Sequence, residues 1–255
     1  MKIQDILNLL EKVAPSACAE DWDNVGLLCG RRNAAVNRVL LCVDVTTDVI
    51  NEAIEEECQA IIAHHPFLFD KISLIDDSDV KGRHILTLAE HKIAVIAAHT
   101  NADSVAGGMN DYLASLLGLK DVTTSEGSKY LRVGILPNSL NMSSLSKYVK
   151  EILSLKNAFM LGEPSATVSR VGVYTGASFV KELIDLKDLY DVVVTGEVKY
   201  HNALELKDEG IKAILCGHFG SELLFTWWFS DIIKSELPEI EVLIAKNQGE
   251  PLQVC

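Results

Sequence analysis

The chain has 255 residues, enough for one large domain or two of roughly 100 to 150, and its 48% hydrophobic content without low-complexity tracts describes a folded globular protein. A formal net charge of −13 opposes any broad grip on a nucleic-acid backbone, which needs Lys and Arg to displace counterions, so no strong nucleic-acid binding is expected. The apolar runs stop short of the ~18 residues of a membrane span, and six scattered cysteines (Cys18, Cys29, Cys42, Cys58, Cys216, Cys255) without CxxC spacing fit reduced thiols rather than a disulfide framework or a zinc finger.

The opening "MKIQDILNLLEKVAP" predicts an amphipathic helix interrupted by Asp5, Asn8, Glu11 and Lys12, unlike the apolar block of a secretory signal, which points to the cytoplasm. "RVLLCVDV" (38–45) predicts a strand, "TTDVINEAIEEECQ" a Thr-capped helix and "AIIAHHPF" (60–67) a second strand. The helix "GRHILTLAEHK", the strand "IAVIAAHT" and the loop and helix of "NADSVAGGMNDYLASLLGL" follow. The rhythm returns with "SRVGVYTGAS" (169–178), "FVKELIDLKDLY", "DVVVTGEVKYH" and "IKAILCGHFGSE".

Arg38 precedes His65 by 27 positions, and Arg170 precedes Glu197 by the same 27. His99 and His218 each follow a short apolar strand and have a carboxylate four residues on, Asp103 and Glu222. The chain therefore reads as a duplication: an α/β protein of two similar α/β halves, with mixed or parallel sheets flanked by helices. The Ser-, Gly- and Asn-rich stretch 123–143 suggests halves of 1–125 and 126–255, the C-terminal helix and strand being free to pack back on the first.

The chemistry is expected at the strand ends, where open α/β sheets place their ligands. His64 and His65 would point to opposite faces if their strand continued, but Pro66 favours a chain leaving the sheet there, so the two rings can serve neighbouring metal ions or simply bond backbone groups. His218 and Glu222 share one face of a first helical turn, with capping by Glu222 as the alternative. Asp103 admits turn chemistry as well. The set His64, His65, Asp103, His218 and Glu222 mixes nitrogen and oxygen donors, which suits two divalent ions such as Zn, Mn, Fe, Ni or Co. His84 and His91 read as solvated helix residues.

"EDWDNVGLLCG", "IIAHHPF", "AAHTNADSVAGGMND", "TGEVKYHNALE" and "CGHFGSE", in this order from Trp22 to Glu222, resemble the Nif-three-like family, whose bacterial members are known as GTP cyclohydrolase 1 type 2 homologues. The resemblance implies a dinuclear metal centre in a cleft between two related halves, a toroidal homohexamer, and His64, His65, Asp103, His218 and Glu222 as ligands, Glu222 bridging. It implies His99 and His201 as proton carriers or substrate contacts, and Asp23 and Asn24 as matching loop residues. The implied reaction is metal-dependent hydrolytic opening of a purine ring, with a nucleotide as substrate. The rival readings are a non-catalytic metal-binding scaffold or stress protein, and a hydrolase with a substrate other than GTP. Where relatives carry a Gly-rich turn, "YTGASF" keeps only Gly176, so any phosphate cradle there would rest on a stiffer turn. "ELLFTWWFSDII" is a bulky apolar helix, a pattern more often core than interface.

Overall fold

Residues 1–252 are described by a computed structural model, so Cys255 lies outside the described residues. The chain forms two units, one made of Met1–Val105 together with the chain from Phe225 onward, the other of Ala106–Leu224.

The first unit begins with α1 (Ile3–Val13), β1 (Gly26–Cys29), β2 (Arg38–Cys42), α2 (Thr47–Glu55), β3 (Ala60–Ala63), α3 (Val80–Glu90), β4 (Ala94–Ala97) and α4 (Thr100–Ser104). The second holds α5 (Met109–Leu116), β5 (Lys120–Thr124), β6 (Arg132–Asn141), α6 (Met142–Ile152), β7 (Phe159–Leu161), β8 (Thr167–Ala177), α7 (Val180–Asp185), β9 (Val192–Glu197), α8 (Tyr200–Asp208), β10 (Ala213–Leu215) and α9 (His218–Glu222). The chain then returns to the first unit through α10 (Leu224–Glu236) and β11 (Glu241–Ile244).

Local sequence explains the elements. The Thr46 hydroxyl caps α2 by accepting the Val49 N–H at 3.3 Å. "AIIA" and "AVIA", apolar at every position, are buried throughout as the inner parallel strands β3 and β4. The first sheet runs β1-β4-β3-β2-β11, with β1 antiparallel to β4 and the rest parallel. The second runs β5-β6-β8-β9-β10-β7, where β8, β9 and β10 are parallel and β7 is antiparallel to β10. Leu40, Ile50, Ile61 and Val95 lie in the core of the first unit, and Leu131, Leu183, Val193 and Leu206 in that of the second.

The duplication is visible bond by bond. The Arg38 backbone N–H donates to the Gln59 side chain at 3.0 Å and its guanidinium to the Glu56 carbonyl at 2.6 Å. Arg170 repeats both contacts, its N–H donating to Asp191 Oδ2 at 2.8 Å and its guanidinium to the Asp188 carbonyl at 2.8 Å. Each arginine thus ties the start of one parallel strand to the turn that enters the next. The order β1-β2-α2-β3-α3-β4-α4 is matched by β7-β8-α7-β9-α8-β10-α9.

The polar stretch 123–143 contains β6, paired with β5 and β8. Gly134 permits this, because a Cβ there would stand 2.8 Å from the Leu119 Cβ. In α10, Phe225, Phe229 and Ile233 are fully buried and Trp228 nearly so, while Trp227 is half-buried. The helix is core, as its composition predicts, each such side chain contributing about 1.5–3 kcal/mol of burial. No helix among the described residues is long and apolar enough to cross a membrane.

The returning segment is held by a buried charge. Glu52, 5% exposed on α2, accepts the backbone N–H of Lys246 at 2.9 Å and of Asn247 at 2.9 Å just beyond β11. Glu52→Ala would leave both N–H groups without their acceptor, and a loss of about 1.5–3 kcal/mol is expected in urea unfolding, whereas Glu55→Ala on the exposed side of α2 should cost less than about 1 kcal/mol.

Candidate functional site

In the first unit the ladder outlasts β3 by two residues: the His64 N–H donates to the Cys42 carbonyl at 3.1 Å and the His65 N–H to the Val43 carbonyl at 2.9 Å. Pro66 then ends it, having no N–H to give. Side chains that would diverge on a continuing strand instead come together, with the two imidazoles 5.1 Å apart and tilted by 40°. His99, just past β4, places its ring 5.2 Å from His64 and 5.5 Å from His65. One ring nitrogen of each lies within 4.8 Å of the others. Asp103 is buried on α4, not in a loop, and sets Oδ2 3.8 Å from His64 Nε2. Phe225 packs on His64 at 5.2 Å between ring centres.

Each ring is oriented from behind. His64 Nδ1 lies 2.9 Å from the Ala98 carbonyl, His65 Nδ1 2.7 Å from Asp44 Oδ1 and His99 Nδ1 3.0 Å from Asp23 Oδ1. A carbonyl or an ionised carboxylate only accepts, so Nδ1 carries a proton, and in the neutral ring Nε2 is then the atom that holds the lone pair. That is the tautomer in which a neutral imidazole ligates a metal through Nε2 with an oxygen acceptor behind it.

Asp23 is ionised for a definite reason. Burial would raise its pKa, but hydrogen bonds from His99 and Thr100, the charge of His99 and the Asn24 N–H outweigh it and bring the value to about 2. Its contribution to stability is complete above the ordinary 3.8 and is lost as the pH falls through about 2. The same carboxylate accepts the Thr100 N–H at 3.1 Å, and Thr100 Oγ1 accepts the Glu20 N–H at 3.0 Å, which fastens the loop at residues 20–24 to the start of α4.

In the second unit, Gly217 at φ 79° turns the chain from β10 into α9. The four-residue spacing then sets His218 Nε2 3.0 Å from Glu222 Oε2, while His218 Nδ1 lies 3.1 Å from Glu197 Oε1 at the end of β9. At 3.0 Å the pair stands at ion-pair distance, and it is close enough for both atoms to serve one ion, whose tetrahedral donors stand ~3.3 Å apart.

Glu222 is 3% exposed and owes its place to a glycine. Gly176 sits at φ 66°, and a Cβ there would stand 2.1 Å from Glu222 Oε1. Ser221 locks the arrangement by accepting the Gly176 N–H at 2.9 Å and donating to the His218 carbonyl at 3.1 Å, and a Cβ at Gly196 would stand 2.5 Å from its Oγ. The residue kept from the Gly-rich turn therefore makes room for a carboxylate.

Sequence reasoning missed Asp44, Glu197, Ser221 and Gly196. The repeat carried a signal for three of them, since aligning Arg38 with Arg170 sets Asp44 level with Gly176, His64 with Gly196 and His65 with Glu197. His201 is exposed on the first turn of α8. His84, read as solvated, is half-buried, with Nε2 2.8 Å from Thr47 Oγ1 and its ring over Phe67, because α3 turns that face toward α2. His91 is exposed at the end of α3. Burial pushes the Cys216 thiol up to about 12, which keeps it protonated near neutral pH.

Comparison with known proteins agrees in sequence and in fold. The family model for Duf34/NIF3 (NGG1p interacting factor 3) matches residues 1–251. A protein of Clostridium perfringens named GTP cyclohydrolase 1 type 2 homolog is 32% identical over 99% of both chains. NIF3-like protein 1 of Drosophila melanogaster is 29% identical over 98% of this chain and 88% of its own. The crystal structure of Staphylococcus aureus protein SA1388 superposes with a TM-score of 0.89 at 27% identity, covering 100% of this chain and 99% of that one.

A methyl group tests the seat of Glu222. Gly176→Ala and Gly127→Ala both put alanine at positive φ, at a cost of about 1–2 kcal/mol each, but a Cβ at Gly127 meets only Leu186 at an ordinary 3.7 Å. Thermal melting should show destabilisation in both variants, the larger in Gly176→Ala. Elemental analysis should show a fall in bound transition metal for Gly176→Ala alone.

Proposed function

The chain belongs to the Duf34/NIF3 family, and from that premise we propose that it is a hydrolase dependent on two divalent metal ions, acting on a planar nitrogen heterocycle of the purine type. The observation that supports this most is the convergence of His64, His65 and His99, each with Nδ1 held by a carbonyl or carboxylate oxygen. In this reading His64, His65, Asp103, His218 and Glu222 would be the metal ligands. The nitrogen and oxygen donors, without thiolate, suit Zn, Mn, Fe, Ni or Co. Two such ions would supply water of lowered pKa and positive charge for the oxyanion that develops as the ring opens.

The chain's own residues do the rest. Asp103 and Glu222 offset the charge of the ions. His99 is suited to carry protons: Asp23 fixes its Nδ1–H, so Nε2 is the nitrogen that can take or give a proton. His201, exposed on α8, is assigned the complementary transfer to the leaving nitrogen. The name of the Clostridium perfringens relative makes GTP the first substrate to offer. Assembly into a homohexamer belongs to the same proposal, and light scattering tests it.

Turnover of GTP is followed by loss of purine absorbance and release of formate. His64→Ala and His65→Ala should each lose one of two bound ions and all activity, and Glu222→Ala should lose more metal than either. His99→Ala and His201→Ala should keep both ions and turn over about 10² to 10⁴-fold more slowly. A fully metal-loaded protein that opens no heterocycle would move the assignment to a metal-binding scaffold.

A further inference from the structure

We propose that Trp22 and Phe69 form an aromatic clamp that holds the heterocycle of a nucleobase-bearing ligand beside the histidine cluster. Trp22 and Phe69 are each 54% exposed, with ring centres 5.8 Å apart and planes at 55°, so the two faces open as a wedge. Trp22 also meets the His99 ring edge-on at 6.1 Å and 70°. The wedge therefore continues into the three imidazoles instead of standing alone on the surface.

Packing does not explain Trp22. Its loop is already fastened by Asp23, through His99 and Thr100, and by the Asn24 carboxamide, which donates to the Leu68 carbonyl and so joins the Trp22 loop to the Phe69 segment. With the backbone held from both sides, a half-exposed indole adds little to the fold, and large exposed aromatics in contact mark binding surfaces. A fixed pair of rings also stacks a ligand at a low entropic cost.

Room and charge identify the ligand. Phe69, together with Pro66 and Phe67, also lines a cleft of ≈ 430 Å³. This is the size of a small-ligand site. Lys71 and Lys81 on its wall are balanced by Asp70 and Asp79, so the cleft holds no formal charge with which to attract phosphate groups. Selection then falls to the planar ring, since every base has a face to stack. The proposal rests on the hydrolytic reading for what happens to the ring, but it is read out as binding.

The test is calorimetric titration of the metal-loaded protein with GTP, ATP, CTP and inorganic tripolyphosphate. Purine nucleotides should bind more tightly than CTP, and CTP more tightly than tripolyphosphate. Trp22→Ala should weaken nucleotide binding about 10- to 100-fold, Trp22→Phe should restore most of it, and Phe69→Ala should act in the same direction. Tripolyphosphate affinity, metal content and melting temperature should stay as in the unmodified protein. The clamp is overturned if nucleotides bind no better than tripolyphosphate, or if Trp22→Ala leaves nucleotide affinity unchanged or weakens tripolyphosphate equally. Ring-dependent binding without turnover would leave the clamp standing and remove the hydrolase. Loss of metal-dependent activity by a route that spares binding would do the same.

Discussion

The hydrogen bond behind each imidazole is the constraint on which the site depends. A histidine ring can turn about two bonds and carry its proton on either nitrogen, so a ring at a strand end is chemically undefined until something fixes both. Ala98, Asp44, Asp23 and Glu197 do this for His64, His65, His99 and His218. Three of the four acceptors are carboxylates. The negative charge of the chain is, at these positions, part of the chemistry.

Parallel strands bring these groups together because whatever follows such strands emerges at one edge of the sheet. The repeat uses that edge twice, but differently. In the first unit a ring follows the strand and an acid six residues after the arginine supports it, as Asp44 does for His65. In the second unit the acid, Glu197, follows the strand and supports a ring on the next helix, while the position level with Asp44 is Gly176, emptied for Glu222. One scaffold thus yields a cluster rich in imidazoles and another rich in carboxylates.

Much of this was legible in the sequence because it depends on local pattern. The apolar "AIIA" and "AVIA", the Thr46 cap and the matched arginine spacings each act over a few residues or within one βαβ unit. The pairs His99 with Asp103 and His218 with Glu222 were legible for the same reason, being a single helical turn apart. The supporting acids were not, since Asp44, Asp23 and Glu197 reach their rings across 21, 76 and 21 residues. The half-burial of His84 was hidden because it depends on how α3 lies against α2, and the role of Gly176 because a missing methyl group matters only once Glu222 lies against it. Nor does a strand period foretell that His64 and His65 converge, which depends on where the ladder stops.

The first unit is discontinuous along the chain, and this sets an order on its making. β2 pairs with β3 on one side and with β11 on the other, Arg38 opposite Glu241 and Leu41 opposite Ile244. A ribosome that has finished β4 must still produce the whole of the second unit before the partner of that outer edge exists. Through this interval Val39, Leu40 and Leu41 present an unpaired apolar edge, which is a template for foreign strands. The second unit, continuous in sequence, can close its sheet while the first waits. The sheet of the first unit is thus completed only once β11 has been made.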